Sequence, residues 1–328
     1  ALGFDLLLLA PRKRFAAGTY ERTQELIASE VLTLAADTES AWLRYAAALE
    51  VSEIAGRMLQ AANAAAEFAR RTHDAGNFSE LELLTQQTAA ARAEVAATRA
   101  ANASLEAKFE LHRMMGLSGA PTWSVAPLPA VPAAAEDALD ALLELGATRR
   151  ADLSAARKEV ELLADALKVA KRWRWLGAVS VGVEREGEVD GVRLTGPTLA
   201  LALPIFHQGQ AGIAEAEYRL EDSRARLRAL AASIDGAIRF RHEHVLATRR
   251  IVETYQKSLL PQNEVIVDRQ QERQNFMFIG QFELIAARVG QYEDERAAAE
   301  AGRDYWLARV ELARATGGRL PSDSGVKP

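Results

Sequence analysis

Apolar positions in this chain follow two rhythms, a long helical one and a short alternating one. Ile213, Leu220, Leu227 and Ile234 recur every seventh position, and after a shift of four so do Ile238, Val245, Val252, Leu259 and Ile266. Such heptads predict a coiled-coil helix over about Gln210–Met277, with the inserted four residues acting as a stutter. Pro261 within it predicts a kink. Leu26, Leu32, Trp42, Tyr45, Leu49, Ile54 and Leu59 predict another long helix over about Phe15–His73. At ~1.5 Å per residue it would run roughly 90 Å, more than an ordinary globular helix. Three further helices are expected, over about Ser79–Met115, Ala135–Arg172 with a break near Gly146, and from Gln281 to about Ala315. Ser79 with Glu82 three residues on has the spacing of a capping box.

Alternation is confined to one stretch. Val179, Val181 and Val183 alternate with Ser180, Gly182 and Glu184, and Leu199, Leu201 and Leu203 alternate with Thr198, Ala200 and Ala202. Period two predicts strands, within Leu176–Arg185 and Val192–Leu203. Asp190-Gly191 suits the turn between them and Pro204 the end of the second. The apolar run Leu2–Leu9, ahead of Pro11, is a third strand candidate. A lone hairpin is marginal in water and needs partners.

Breaks divide the chain into two echoing parts. Ala75-Gly76-Asn77-Phe78 aligns with Ile279-Gly280-Gln281-Phe282, and Leu111–Gly116 aligns with Leu312–Gly317. Each part reads strand, long helix, glycine break, return helix, glycine stop. The expected organisation is a first repeat at 1–117, a Pro-rich linker at 118–134, a second repeat at 135–317 and a loose polar tail at 318–328. The second repeat has a preceding helix and strand that the first lacks, so an N-terminal truncation is expected. The opening ALGFDLLLLAPRKR has its basic cluster after the apolar run, unlike a signal peptide.

Composition narrows the chemistry. The 328 residues carry a formal charge of −5, which does not suggest a nucleic-acid partner. There is no cysteine, hence no disulfide and no thiolate metal site. No run of 18 apolar residues offers a transmembrane helix. No nucleophile–base pair, phosphate loop or metal motif is visible, so no enzyme activity and no cofactor are expected. His242 and His244 stand at i and i+2, which do not share a helix face, so a solvated pair is expected rather than a metal pair. Trp173 and Trp175 suit either an interfacial belt or a core. Arg12-Lys13-Arg14 reads as a solvated junction.

Several motifs in order resemble the TolC-type outer membrane efflux family. Arg149-Arg150-Ala151-Asp152-Leu153 is similar to that family's R-x-D-L helix start, and Gly196–Phe206 to its strand ending in Leu-Pro-Leu-Phe. Leu259-Leu260-Pro261 is also like the family, while His207 and Gln210 depart from its more usual charged residues. The resemblance implies a mainly α protein of very long coiled-coil hairpins forming an α-barrel, with a small antiparallel β part contributing to a trimeric outer-membrane β-barrel, and an internal two-fold repeat. It implies a homotrimeric exit duct in the outer membrane of a Gram-negative bacterium, helices in the periplasm, fed by an inner-membrane pump and a periplasmic adaptor. Gly76, Asn77, Phe78, Gly280, Gln281 and Phe282 would form adaptor-docking tips. Glu80, Glu82 and Glu283 would be acids at the pore end. Leu199, Leu201 and Leu203 would face outer-membrane lipid. The rival expectation is a soluble coiled-coil scaffold whose strand pair caps a helical stack.

Overall fold

A computed structural model describes residues 6–119, 124–174, 179–187, 193–201 and 209–325. Helix α1 spans Leu6–Asp74, α2 Glu80–Met114, α3 Leu139–Arg149 and α4 Ala151–Trp173. Strands β1 (Val179–Gly187) and β2 (Arg193–Leu201) follow, then α5 (Gln210–Thr254), a π-helical turn (Tyr255–Leu259), α6 (Leu260–Asn275) and α7 (Gln281–Thr316). A short 3₁₀ turn covers Pro321–Gly325. None of the described helices is long and apolar enough to cross a membrane.

The residues group into two compact units, Ala1–Val31 with Leu143–Gly236, and Leu32–Leu142 with Ala237–Pro328. In the first, α1 and α4 approach closely at Gly18, where a Cβ would come within 2.4 Å of the Leu162 side chain. Arg22 pairs with Glu159 at 3.0 Å and Lys158 with Glu21 at 2.7 Å along the same contact. The strands pair antiparallel, Val179 opposite Leu201 and Val181 opposite Leu199. Leu203, Trp175, His207 and the Asp190-Gly191 turn lie outside the described residues.

Three expectations need correction. Leu6–Leu9, assigned to a strand, are helical, and Pro11 lies inside α1. A short unbroken leucine run has no period to choose between strand and helix, and leucine is a strong helix former. The break expected near Gly146 falls instead at Arg150, which takes extended backbone (φ −69°, ψ 115°) as the N-cap of α4. Arg150 Nε donates to Asp152 Oδ1 at 2.9 Å, a second bond joins its Nη2 to Oδ2, and Leu153 N donates to Oδ1 at 2.8 Å. The R-x-D-L text is thus a fork that ties the cap to the first turn, and the guanidinium bond holds the Asp152 pKa below its ordinary value.

Around Pro261 the α-helical hydrogen bonding changes, with a π turn over Tyr255–Leu259 separating α5 from α6. Pro261 sits at the start of α6, directly after the π turn, where the Leu260 N–H reaches back to the Tyr255 carbonyl. Proline has no N–H and clashes with the carbonyl four residues back, and the wider turn relieves both. The π turn adds one residue to the helix, and the buried seam shifts with it. Ile238, Val245 and Val252 are buried, but Ile266, two heptads beyond Val252, is 49% exposed while Val267 is 1% exposed.

The second unit's core is built from small side chains. Ala41, Ala46, Ala47, Ala55, Ala65 and Ala69 of α1 and Ala299, Ala301, Ala308 and Ala315 of α7 are buried, allowing backbones to come close. Leu43, Leu142, Tyr305, Leu312 and Leu320 fill the remaining space. Leu320 corrects the third expectation: at 319–325 the tail is not loose. The Ser322 hydroxyl donates to Asp137 at 2.7 Å, and Arg309 binds both Ser322 and Asp323.

Candidate functional site

The two helix reversals are built alike. After α1, Ala75 N donates to Arg71 O, Gly76 N to His73 O and Asn77 N to Thr72 O. After α6, Phe276 N donates to Glu272 O, Met277 N to Gln274 O and Phe278 N to Arg273 O. The pattern is one C-capping motif used twice, closed by a residue in left-handed backbone. That residue is Gly76 (φ 78°) in the first turn and Met277 (φ 62°) in the second. Gly280, the expected counterpart of Gly76, has φ −77° and is the N-cap of α7. Gly76 therefore corresponds to Met277, and Ser79 to Gly280. Sequence comparison matched the glycines; the hydrogen bonds match the caps.

This register also moves the acids. Glu82 and Glu283 become equivalent, each at the third position of its return helix. They are not used alike. Glu82 completes a capping box, accepting from Ser79 N at 2.8 Å and the Ser79 hydroxyl at 2.6 Å, while Ser79 Oγ accepts from Glu82 N at 3.3 Å. Those bonds hold its carboxyl below the usual range. Gly280 offers α7 no side-chain cap. Glu80, Glu82 and Glu283 are all exposed.

The structure brings the two turns together. Phe78 stacks on Phe282 with centroids 5.1 Å apart, and Phe68 meets Phe282 at 5.3 Å. His73 Nδ1 donates to the Phe78 carbonyl at 2.8 Å, fixing the first turn from within. Gly76, Asn77, Gly280 and Gln281 are exposed, whereas Phe78 and Phe282 are half-buried between the hairpins. These two phenylalanines hold the tips in register. Large apolar residues left at the surface by the tips are Phe276 (73% exposed), Met277 (92%) and Phe278 (75%) in the second, which the sequence reading passed over, and Leu81 (75%) at the start of α2 in the first.

A second constellation escaped the sequence altogether. Glu136, at the end of the linker, accepts from Arg249 Nη1 at 2.8 Å, from the Tyr305 hydroxyl at 2.7 Å and from Arg309 Nη1. Arg249 also donates to the carbonyls of Ala134 and Pro132, and Trp306 Nε1 to that of Pro129. The linker is thus strapped to α5 and α7 by its backbone carbonyls. Burial and the bond to Glu136 push the Tyr305 phenol up to about 12. Burial alone would lower Arg309, but the charges of Glu136, Tyr305 and Asp323 outweigh it and raise its pKa. The partners lie more than a hundred positions apart in sequence, so no local spacing announces them.

His242 also departs from expectation. It is buried, and its Nε2 donates to the Asp137 carbonyl at 3.2 Å, whereas His244 is exposed and stacks on Phe240. No group of three or more metal-ligating side chains occurs among the described residues.

No protein-family model and no curated protein sequence matches this chain. Solved structures do. A membrane protein from Pseudomonas aeruginosa is similar over 92% of this chain and 72% of its own, with TM-score 0.78 at 19% identity. The Campylobacter jejuni CmeC outer membrane channel is similar over 95% of this chain and 68% of its own (TM-score 0.75, 15% identity). The open state of the Neisseria gonorrhoeae MtrE outer membrane channel is similar over 94% of this chain and 71% of its own (TM-score 0.73, 16% identity).

Proposed function

The chain has the fold of these outer membrane channels, and from that premise we infer that it belongs with TolC-type outer membrane efflux proteins. In this reading it is a non-enzymatic exit duct in the outer membrane of a Gram-negative bacterium, with its helices in the periplasm. The observation that carries the reading is a likeness extending over more than nine-tenths of the chain, helices and strands together. The isolated strand pair supports a homotrimer. Two strands leave unpaired edges, and closing a sheet among several copies removes them. Leu199 and Leu201, opposite Val181 and Val179 in the ribbon, would then lie in the barrel wall with Leu203.

The repeated C-cap supports an internal two-fold repeat, with an adaptor docking at the paired tips Gly76–Phe78 and Gly280–Phe282 and a pump beyond it. Glu80 and Glu283 are the acids available to the pore end, since Glu82 is spent on the cap. Expression of the full-length protein in a Gram-negative host tests the reading. The expected result is outer-membrane fractionation, a detergent-extracted trimer by light scattering, and sensitivity to exported compounds on deletion. A detergent-independent soluble protein absent from the membrane fraction would support the scaffold instead.

A further inference from the structure

Between the start of α1 and the end of α4 lies a groove of about 1010 Å³. The contacts of Gly18 with Leu162, Glu21 with Lys158 and Arg22 with Glu159 show that the two helices run antiparallel. Arg12 and Arg14 therefore stand level with Lys168 and Arg172, and all four line the groove. From this geometry we propose that the groove holds the headgroup of an anionic phospholipid, in the membrane leaflet on the helical side of the strands. The proposal rests on the exit-duct reading above.

Charge sets the sign of the ligand. With Lys158 the lining holds five cations, against the three acids Glu21, Glu161 and Asp165. Glu21 is taken by Lys158 at 2.7 Å and Asp165 by Lys168 at 2.9 Å, and the charge of Glu161 also acts on Lys158. Arg12 is already engaged, and Lys171, outside the groove, pairs with Glu217. Arg14 and Arg172 are exposed and have neither a hydrogen bond nor an ion pair among the described residues. A guanidinium without a carboxylate can bind phosphate through two parallel N–H donors. Farther along the helices, at Glu21, Arg22, Lys158 and Glu159, cations and acids pair off, so the unmatched charge is confined to the strand end.

Apolar surface and position select a lipid over a free anion. Pro11, Phe15, Leu162 and Val169 line the same groove, and Phe15 is 46% exposed. Inorganic phosphate would leave that surface bare, whereas a phospholipid covers it with its upper acyl chain. Arg172 stands seven positions ahead of Val179, the first residue of β1, so chain length holds it within about 25 Å of the strand pair. With the strands in the outer membrane and the helices in the periplasm, the groove opens at the periplasmic headgroup layer. Basic clusters beside a membrane-embedded segment meet lipid phosphates there.

Ala17 lines the groove, and the 328 residues hold no cysteine to compete for label. Full-length protein carrying Ala17→Cys, labelled with bimane in a non-ionic detergent, is titrated with brominated phosphatidylglycerol or brominated phosphatidylethanolamine, with inorganic phosphate as competitor. Brominated acyl chains quench a fluorophore only at close range. The expected result is half-quenching by phosphatidylglycerol at about tenfold less lipid than phosphatidylethanolamine requires, a preference that shrinks as salt rises. Arg14→Gln with Arg172→Gln should remove the preference, and Arg14→Lys with Arg172→Lys should keep most of it. Equal quenching by the two lipids, or a preference that survives the glutamines or high salt, would overturn the proposal while leaving the exit duct standing. Complete displacement of phosphatidylglycerol by millimolar phosphate would also overturn it, by assigning the groove to a free anion. If the glutamine variant does not fold, the wild-type comparison of the two lipids still decides. Full-length protein absent from the outer-membrane fraction would overturn both readings.

Discussion

Arg309 of α7 donates to Glu136 of the linker with both side chains almost wholly out of water, 4% and 3% exposed. Arg249 approaches the same carboxylate from α5, 14% exposed. A carboxylate held by two guanidiniums and a phenol is well compensated only while the set is complete.

Removing one member leaves a buried charge. Arg309→Ala is expected to destabilise the protein by about 3–5 kcal/mol. Arg309→Met combined with Glu136→Gln should cost less than Arg309→Ala alone, because the charge goes with its partner. Chemical denaturation of the three proteins reads the difference, and a double variant weaker than the single would contradict the assignment.

Tyr305 reports on the same cluster spectroscopically. Its folded pKa, about 12, lies above the ordinary phenol value of roughly 10. A group raised in the folded state contributes stability that is fully present below the unfolded pKa and lost as pH rises through the folded one. The window is therefore roughly pH 10 to 12. Ultraviolet titration should show a tyrosine component that ionises at about pH 12, and Tyr305→Phe should abolish that component.

The buried seam beyond the π turn gives a mutational contrast. Val267→Ala is expected to cost about 2 kcal/mol from lost burial. Ile266→Ala, at a half-exposed position, should cost less than about 1 kcal/mol. The heptad text alone orders them the other way, so thermal unfolding of the two variants decides between the registers.

That reversal shows what the sequence could and could not carry. Helix existence, the strand pair and the capping box followed from local period and cap chemistry, which act over a few residues. Ser79 with Glu82 was readable for that reason. That Pro261 sits behind a π turn depends on how one backbone hydrogen bond is rerouted, and no residue type marks it. Leu6–Leu9 lacked any period. Glu136, Arg249 and Arg309 meet only through the fold. The glycines marked where the helices reverse but not how the two reversals match, since Gly76 corresponds to Met277 and not to Gly280, and Phe276–Phe278 went unnoticed because an apolar triplet at a helix end looks like buried packing.

The capping box predicts a pH dependence local to the first tip. Ser79→Ala should cost about 1 kcal/mol at neutral pH. Glu82's carboxyl is depressed by its bonds to Ser79, so its stabilisation is present above the unfolded value of about 4.3 and lost as pH falls through the folded one. Hydrogen exchange at the start of α2 should therefore differ between wild type and Ser79→Ala at pH 7, with the gap narrowing in acid. A constant gap would mean the carboxylate plays no part in the cap.

The two glycines that the sequence pairs should respond in opposite ways to the smallest change. Neither Gly76 nor Gly280 has any atom within 4 Å of where a Cβ would stand, so steric contact is absent from both. Only backbone conformation separates them. Gly76 has φ 78° and must pay for a Cβ in left-handed space, roughly 1–2 kcal/mol. Gly280 has φ −77° and ψ 162°, an ordinary extended pair, and an added Cβ there restricts the unfolded chain more than the folded one. Gly280→Ser should gain further, by supplying α7 with the side-chain cap that Ser79 supplies to α2. Unfolding midpoints should therefore rank Gly280→Ser above wild type and Gly76→Ala below it. Equal losses at the two positions would mean that the glycines are equivalent after all, and that the match of Gly76 to Met277 is wrong.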